Sequence, residues 1–336
     1  MENLLNNVLI IQDNYYEIVK DISKMKKSLP KISNVDNGNF PGFVYPINGK
    51  TINTLDSVHK VKLNPHDSGS FERPVFAYDE SIRKFSCLEG DGYLTGHSLV
   101  HIEKNDYIPV GLISFYFYTR SKIIQESSSF IRFSTDIEMD SKRDYIRDRI
   151  KFLSDHTPEN SILLIDGPLI AGDVYTYMIQ SMKLFLDKNI IPVFFVKNSN
   201  SNMVSDAIET IRNQYNSDLH WAYEYLSQGE RSNYFYYQDK INSKNAKVFC
   251  YIKAFNKSPQ RIEFYVSTFE KHKNEIDKII EQVYYYLLVQ GPKNPQVRPI
   301  AIAELYAREY LSIVNFESVF MNSGLIPTMN QERFGG

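Results

Sequence analysis

The chain has 336 residues, of which 43% are hydrophobic and 23% charged, with 15 glycines and 14 prolines; these proportions are globular and exclude a disordered or collagen-like chain, leaving one large domain or two ordinary ones. Thirty-eight Lys and Arg against 40 Asp and Glu give a net charge of −2, which excludes a uniformly basic coat for nucleic acid though not a local basic groove. The two cysteines, Cys87 and Cys250, exclude a disulfide scaffold and a cysteine-rich zinc module and, set in apolar strand-like stretches, read as buried free thiols.

The first residues lack the basic opening of a secretory signal. Leu4, Val8, Ile11, Tyr15, Ile18, Ile22 and Met25 recur at helical spacing and predict an amphipathic helix over 4–28. Residues 30–70, rich in Pro, Asn, Gly and Ser, read as an irregular connector with short extended pieces, so that 1–70 forms an N-terminal extension and 71–336 the main domain. Pro74–Tyr78 reads as a buried strand ending at Asp79, followed by a glycine-containing segment, Gly90–Gly96, and strand-like runs at 97–103 and 109–119. A charged helix is expected over 140–155. A short, almost wholly apolar strand, 161–165, then ends at Asp166-Gly167-Pro168. After it come a helix near 173–188, an apolar strand at 192–196 running into Lys197 and an Asn/Ser-rich loop, and a helix at 203–213. Strands at 234–237, 246–253 and 260–266 and helices at 273–288 and 299–312 close the domain. A meander followed by alternating helices and apolar strands predicts an α/β fold around a mixed sheet with flanking helices. The longest apolar runs, such as 190–196, fall short of the about 20 residues that span a bilayer, so the expectation is a soluble, cytoplasmic protein with no membrane partner.

Two carboxylates, Asp79 and Asp166, stand at the ends of predicted central strands. If those strands are neighbours, both emerge on one rim, where clustered hard oxygens suit divalent cations; the plain alternative is that each is a turn or cap residue. Asp136, Glu138 and Asp140 open the charged helix, where acidic residues also suit the helix dipole. Glu304 lies among Ala301, Ile302, Ala303 and Leu305, and needs a partner or a metal if buried. Lys197 heads a loop able to meet phosphates, or is an ordinary exposed lysine. None of the seven histidines falls in an HxH or HExxH pattern, and neither GxxxxGK[ST] nor GxGxxG occurs, so the usual zinc and nucleotide motifs are absent.

Several segments, in order, resemble the NurA family of nucleases: Phe76-Ala-Tyr-Asp79-Glu-Ser81, Ile162-Leu-Leu-Ile-Asp166-Gly-Pro-Leu169, Val193-Phe-Phe-Val-Lys197-Asn-Ser, Pro299-Ile-Ala-Ile-Ala-Glu304, and the ending Gly324-Leu-Ile-Pro327 with Arg333. The resemblance spans about residues 70 to 336. It implies an RNase H-like core and a homodimer that degrades DNA with manganese, or magnesium, alongside a hexameric HerA-type translocase in processing DNA ends for recombination. It also implies that Asp79, Glu138 and Asp166 are catalytic metal ligands, Glu138 being preferred over Asp136 and Asp140, and that Glu304 is a fourth ligand. Three positions depart from the family pattern: Glu80 stands where a glycine follows the first aspartate, Glu304 where a His or Asp is usual, and Gln296-Val297 where Tyr-Pro is usual. With a net charge of −2, phosphate contacts would fall to local cations such as Arg143, Arg147, Lys151 and Lys197, or to the partner ring. Beside the nuclease reading stand a non-catalytic adaptor that binds HerA or DNA, and an RNase H-like enzyme acting on RNA or other phosphates.

Overall fold

A central sheet organises the chain, and the apolar strands Ile162–Asp166 and Ile191–Val196 lie in its middle because both of their faces must be covered. The computed structural model describes residues 50–54, 60–65, 73–103, 106–170, 176–208, 211–239, 244–313 and 325–328. All of them belong to one compact unit, 39–336. The helix expected over 4–28 lies outside the described residues.

The strands are β1 (Lys50–Thr54), β2 (Lys60–Lys62), β3 (Val75–Cys87), β4 (Gly90–Glu103), β5 (Asp106–Thr119), β6 (Ile131–Phe133), β7 (Ile162–Asp166), β8 (Ile191–Val196), β9 (Glu230–Ser232), β10 (Phe235–Asp239), β11 (Ala246–Lys253) and β12 (Gln260–Tyr265). The helices are α1 (Lys122–Glu126), α2 (Ile137–His156), α3 (Thr176–Asp187), α4 (Asp218–Tyr225), α5 (Val266–Lys271), α6 (Lys273–Gln290) and α7 (Arg298–Ile313). The sheet order is β1-β10-β11-β12-β8-β7-β3-β4-β5-β6, with β9 on β11 and β2 on β9. Its heart is the antiparallel meander β3-β4-β5 continued by β7 and β8, both parallel to β3. That is the RNase H-like, mixed α/β architecture. Two pieces of the Pro- and Asn-rich connector, β1 and β2, join the same sheet.

The side-chain period of two divides the sheet into two cores. Val75, Ala77, Ile162, Leu164, Ile191, Val193 and Phe195 pack with α6 and α7 through Ile276, Ile280, Leu287 and Ile300. Phe76, Tyr78, Leu163, Ile165 and Phe194 pack on the other face with α2 and α3 through Phe152, Leu153, Met182 and Phe185. Cys87 and Cys250 are buried free thiols.

The expected strand ending at Asp79 instead continues to Cys87, and the glycine-containing segment after it is strand β4. Those glycines mark close approach rather than turns. A Cβ on Gly96 would lie 2.6 Å from the carbonyl oxygen of Ala307, and one on Gly111 would run into the Tyr310 ring. Both gaps let α7 settle directly across β3, β4 and β5. No α-helix occupies the described part of 203–213. There the amides of Val204 and Ser205 donate to Oδ1 of buried Asp218 at 2.9 and 2.8 Å, and Asn213 takes a φ of 61°. The buried carboxylate caps an isolated turn, in which the Asp206 and Ile208 amides donate to the carbonyls of Asn202 and Val204, and ties that turn to α4.

Substituting Gly96→Ala forces α7 off the sheet, so a destabilisation of about 1–3 kcal/mol, typical of overpacking, is expected by chemical denaturation. A variant melting like wild type would show that α7 does not depend on this contact.

Candidate active site

Strand alternation places the two aspartates. On β3, Val75 and Ala77 face α6 and α7, so Asp79 does too; on β7, Ile162 and Leu164 set Asp166 on the same face. The parallel register pairs Tyr78 with Ile165, which makes Asp79 and Asp166 the next rung. Neighbouring strands run about 4.8 Å apart, and β7 ends at Asp166 while β3 runs on. The two carboxylates therefore stand side by side where the sheet's central parallel strands stop. Lys197, one residue past β8, places Nζ 3.1 Å from Oδ2 of Asp166 and 3.8 Å from Oε2 of Glu304, which α7 brings over the same face.

The electrostatics follow from this crowding. Asp79 is 5% exposed. Burial, then the charge of Asp166, then that of Glu80, push its carboxyl up to about 8, although its Oδ1 accepts the Glu80 amide at 2.8 Å. Burial also raises Asp166, with Glu80 and Glu304 adding to the rise and Lys197 opposing it. Oδ1 of Asp166 is buried without a hydrogen-bond partner. Glu304 is already engaged: Arg308 donates to Oε1, and Gln296 donates to Oε2 at 3.1 Å.

On the opposite face stands a polar cluster that the sequence did not flag. Arg149 of α2 is 2% exposed. It donates to the main-chain oxygen of Asp166 at 3.2 Å, lies 3.9 Å from Oε1 of Glu80, and stacks its guanidinium over Tyr78 at 5.0 Å. Tyr145 donates to Glu80 and stacks on His97, whose Nδ1 meets the Tyr78 hydroxyl at 2.7 Å. Burial, helped by Arg149, holds the His97 imidazole down to about 3, so it is neutral.

Residues 70–309 match the NurA domain. The chain belongs to the NurA family. Among solved structures, the NurA nuclease from Sulfolobus solfataricus is 12% identical over 94% of this chain and 98% of its own, with a TM-score of 0.51. Others are a NurA with manganese, 9% identical over 90% and 98% with a TM-score of 0.39, and Ciona intestinalis endonuclease V in complex with DNA, 12% identical over 91% and 100% with a TM-score of 0.35. The first of these supports the shared fold. No curated protein matches the chain in sequence.

Within this NurA domain, the structure brings together Asp79, Asp166, Lys197 and Glu304 but not Glu138. Asp136 caps α2, so Glu138 falls in its first turn, where it is 77% exposed and paired with Lys142 at 2.6 Å. Eleven residues separate it from Arg149, about 16 Å along a helix, and it is Arg149 that reaches β7. Asp136 and Asp140 sit in the same exposed turn, occupied with the Met139 amide and with Ser134 and Arg143. Arg143, Arg147 and Lys151 are more than half exposed and paired with Asp140, Asp144 and Asp155 of their own helix, a solvated face. Glu80, in the family's glycine position, was legible as a departure; Arg149 gave no signal, being one charge among many on a charged helix.

Among the described residues no three His, Cys, Asp or Glu side chains gather closely enough to hold one metal ion. The unpartnered Oδ1 of Asp166 and the carboxylate of Asp79 nonetheless suit a cation. Both are hard oxygens of the kind that bind Mg²⁺ or Mn²⁺ together with water and phosphate oxygens.

A proton held by Asp79 in the folded state and not in the unfolded one makes stability fall as pH rises from about 4 toward 8. In metal-free protein, Asp79→Asn removes that dependence and raises the melting temperature at pH 8 by about 2 °C or more. Parallel pH profiles for mutant and wild type by calorimetry would refute the shift.

Proposed function

We propose that this protein is a metal-dependent nuclease that hydrolyses DNA phosphodiesters. The observation that carries the reading is the adjacency of Asp79 and Asp166 at the end of the parallel strands in a NurA domain. Asp79 and Asp166 would hold a divalent cation, Mn²⁺ or Mg²⁺, which when bound supplies the Lewis acidity that activates water for attack at phosphorus. Two buried aspartates with raised proton affinity hold such a cation only when deprotonated, so cation binding releases protons and strengthens with pH. Lys197 orients Asp166 and presents an ammonium to the negative charge of a phosphate. Arg149 anchors the main chain at Asp166 from behind, keeping the carboxylate on the rim. The net charge of −2 offers no general attraction for DNA, so strand capture rests on local cations and on partners. The family relationship supports a second copy of the chain and a HerA-type hexameric translocase as those partners, a role in processing DNA ends for recombination, and work in the cytoplasm. Among the described residues no helix is long and apolar enough to cross a membrane.

One observation favours a second reading. Glu304, in the family's His or Asp position, has both oxygens engaged by Arg308, Gln296 and Lys197, as expected of a site that has drifted toward an adaptor binding HerA or DNA.

End-labelled single- and double-stranded DNA, beside RNA, incubated with Mn²⁺, Mg²⁺ or EDTA, tests the proposal. Metal-dependent cleavage of DNA is expected. Asp166→Asn should lower it more than about 100-fold, beyond the loss caused by removing an outer partner. Glu138→Gln, an exposed change, should stay within about twofold. Well-folded protein that cuts nothing even with its translocase would establish the adaptor instead, and cleavage confined to RNA would overturn the choice of substrate.

A further inference from the structure

The carboxylates around this rim are not equally available. Glu304 has both oxygens committed, Oε1 to Arg308 and Oε2 to Gln296 and Lys197. Glu80 points to the opposite face, where Tyr145 and Arg149 take Oε1; its Oε2 is buried without a partner, but Arg149 stands between it and β7, joined to the main chain of Asp166. Asp166 gives Oδ2 to Lys197 and keeps Oδ1 free. Asp79 gives Oδ1 to the Glu80 amide. What remains on the α7 face is one oxygen from each aspartate. Charge tells the same story: Glu304 has Arg308 and Glu80 has Arg149, while Asp166 has Lys197, which it shares with Glu304, and Asp79 has no ion pair among the described residues.

We infer that each chain binds a single divalent cation, between Asp79 and Asp166, and that Lys197 fills the position of a second one. A Lys ammonium bridging carboxylates from β7 and α7 takes the place a second ion would take: it sets a fixed cationic group between the two carboxylates at the rim. During phosphodiester cleavage that ammonium faces the negative charge developing on the phosphate oxygens. It needs no free metal to be in place and, unlike an ion, cannot be chelated away. The inference rests on the proposed metal-dependent reading and specifies how that site is built.

The test is the count of Mn²⁺ ions bound by the full chain, read from the loss of the free-ion electron paramagnetic resonance signal during titration. One ion per chain is expected for wild type. Asp79→Asn and Asp166→Asn should each weaken its binding more than about tenfold. Lys197→Met frees Oδ2 of Asp166 and leaves Oε2 of Glu304 with the neutral Gln296 amide as its partner, and should raise the count to two. Circular dichroism and melting curves like those of wild type select the variants that count. Two ions in wild type would overturn the inference while leaving the metal-dependent reading standing, and so would a count of one in Lys197→Met. No ion in wild type would overturn both.

Discussion

Two like charges forced into adjacent positions govern this protein. The parallel register of β3 and β7 leaves no freedom: once Tyr78 lies beside Ile165, Asp79 and Asp166 must lie beside each other. Neither carboxylate can be moved to the other face without flipping a strand whose remaining residues are core. The cost of that adjacency is visible in the raised proton affinity of both groups. A domain that keeps such a pair must satisfy it with a proton, with a protein cation or with a metal, and Lys197 and Arg149 take their places around that need while Glu304 adds to it.

Three layers share the work. The apolar strands β7 and β8 give the pair a rigid floor because they are sealed on both faces. On one side, α7 comes down on the sheet through the gaps at Gly96 and Gly111 and carries Glu304 and Arg308 to the rim. On the other, α2 inserts a buried guanidinium behind Asp166, stacked on Tyr78 and close to Glu80. The site is thus a balance of alternating charges across the sheet, and its chemistry depends on which oxygens that balance leaves free.

Much of this was legible in the residues. Apolar runs located β7 and β8 to within a residue, and an aspartate after each of two such strands pointed to a shared rim. The helix 299–312 and Glu304 within it were visible from periodicity. What escaped were features that depend on distant partners. Gly90–Gly96 resembles a turn until one knows that α7 must pass over it. The stretch 203–213 has helical spacing, but its described part forms isolated turns, the first of them held by buried Asp218, thirteen residues beyond Ser205. Glu138 was favoured because the family resemblance calls for an acidic residue at that helix and Glu138 stands between Ile137 and Met139. Arg149, further along the same helix, is the residue that arrives at β7, and nothing in its neighbours marks it as buried.

The position of α7 also sets an order of events. Its contacts with β3, β4 and β5 close loops of roughly two hundred residues, and such long closures are slow steps in folding. A chain leaving the ribosome has both aspartate strands well over a hundred residues before Glu304 is made, and over that interval the acidic rim stands open on the face that α7 will cover. The element that completes the site is therefore made well after the strands that carry the pair, and a product stalled between them would hold the acidic pair without its cover.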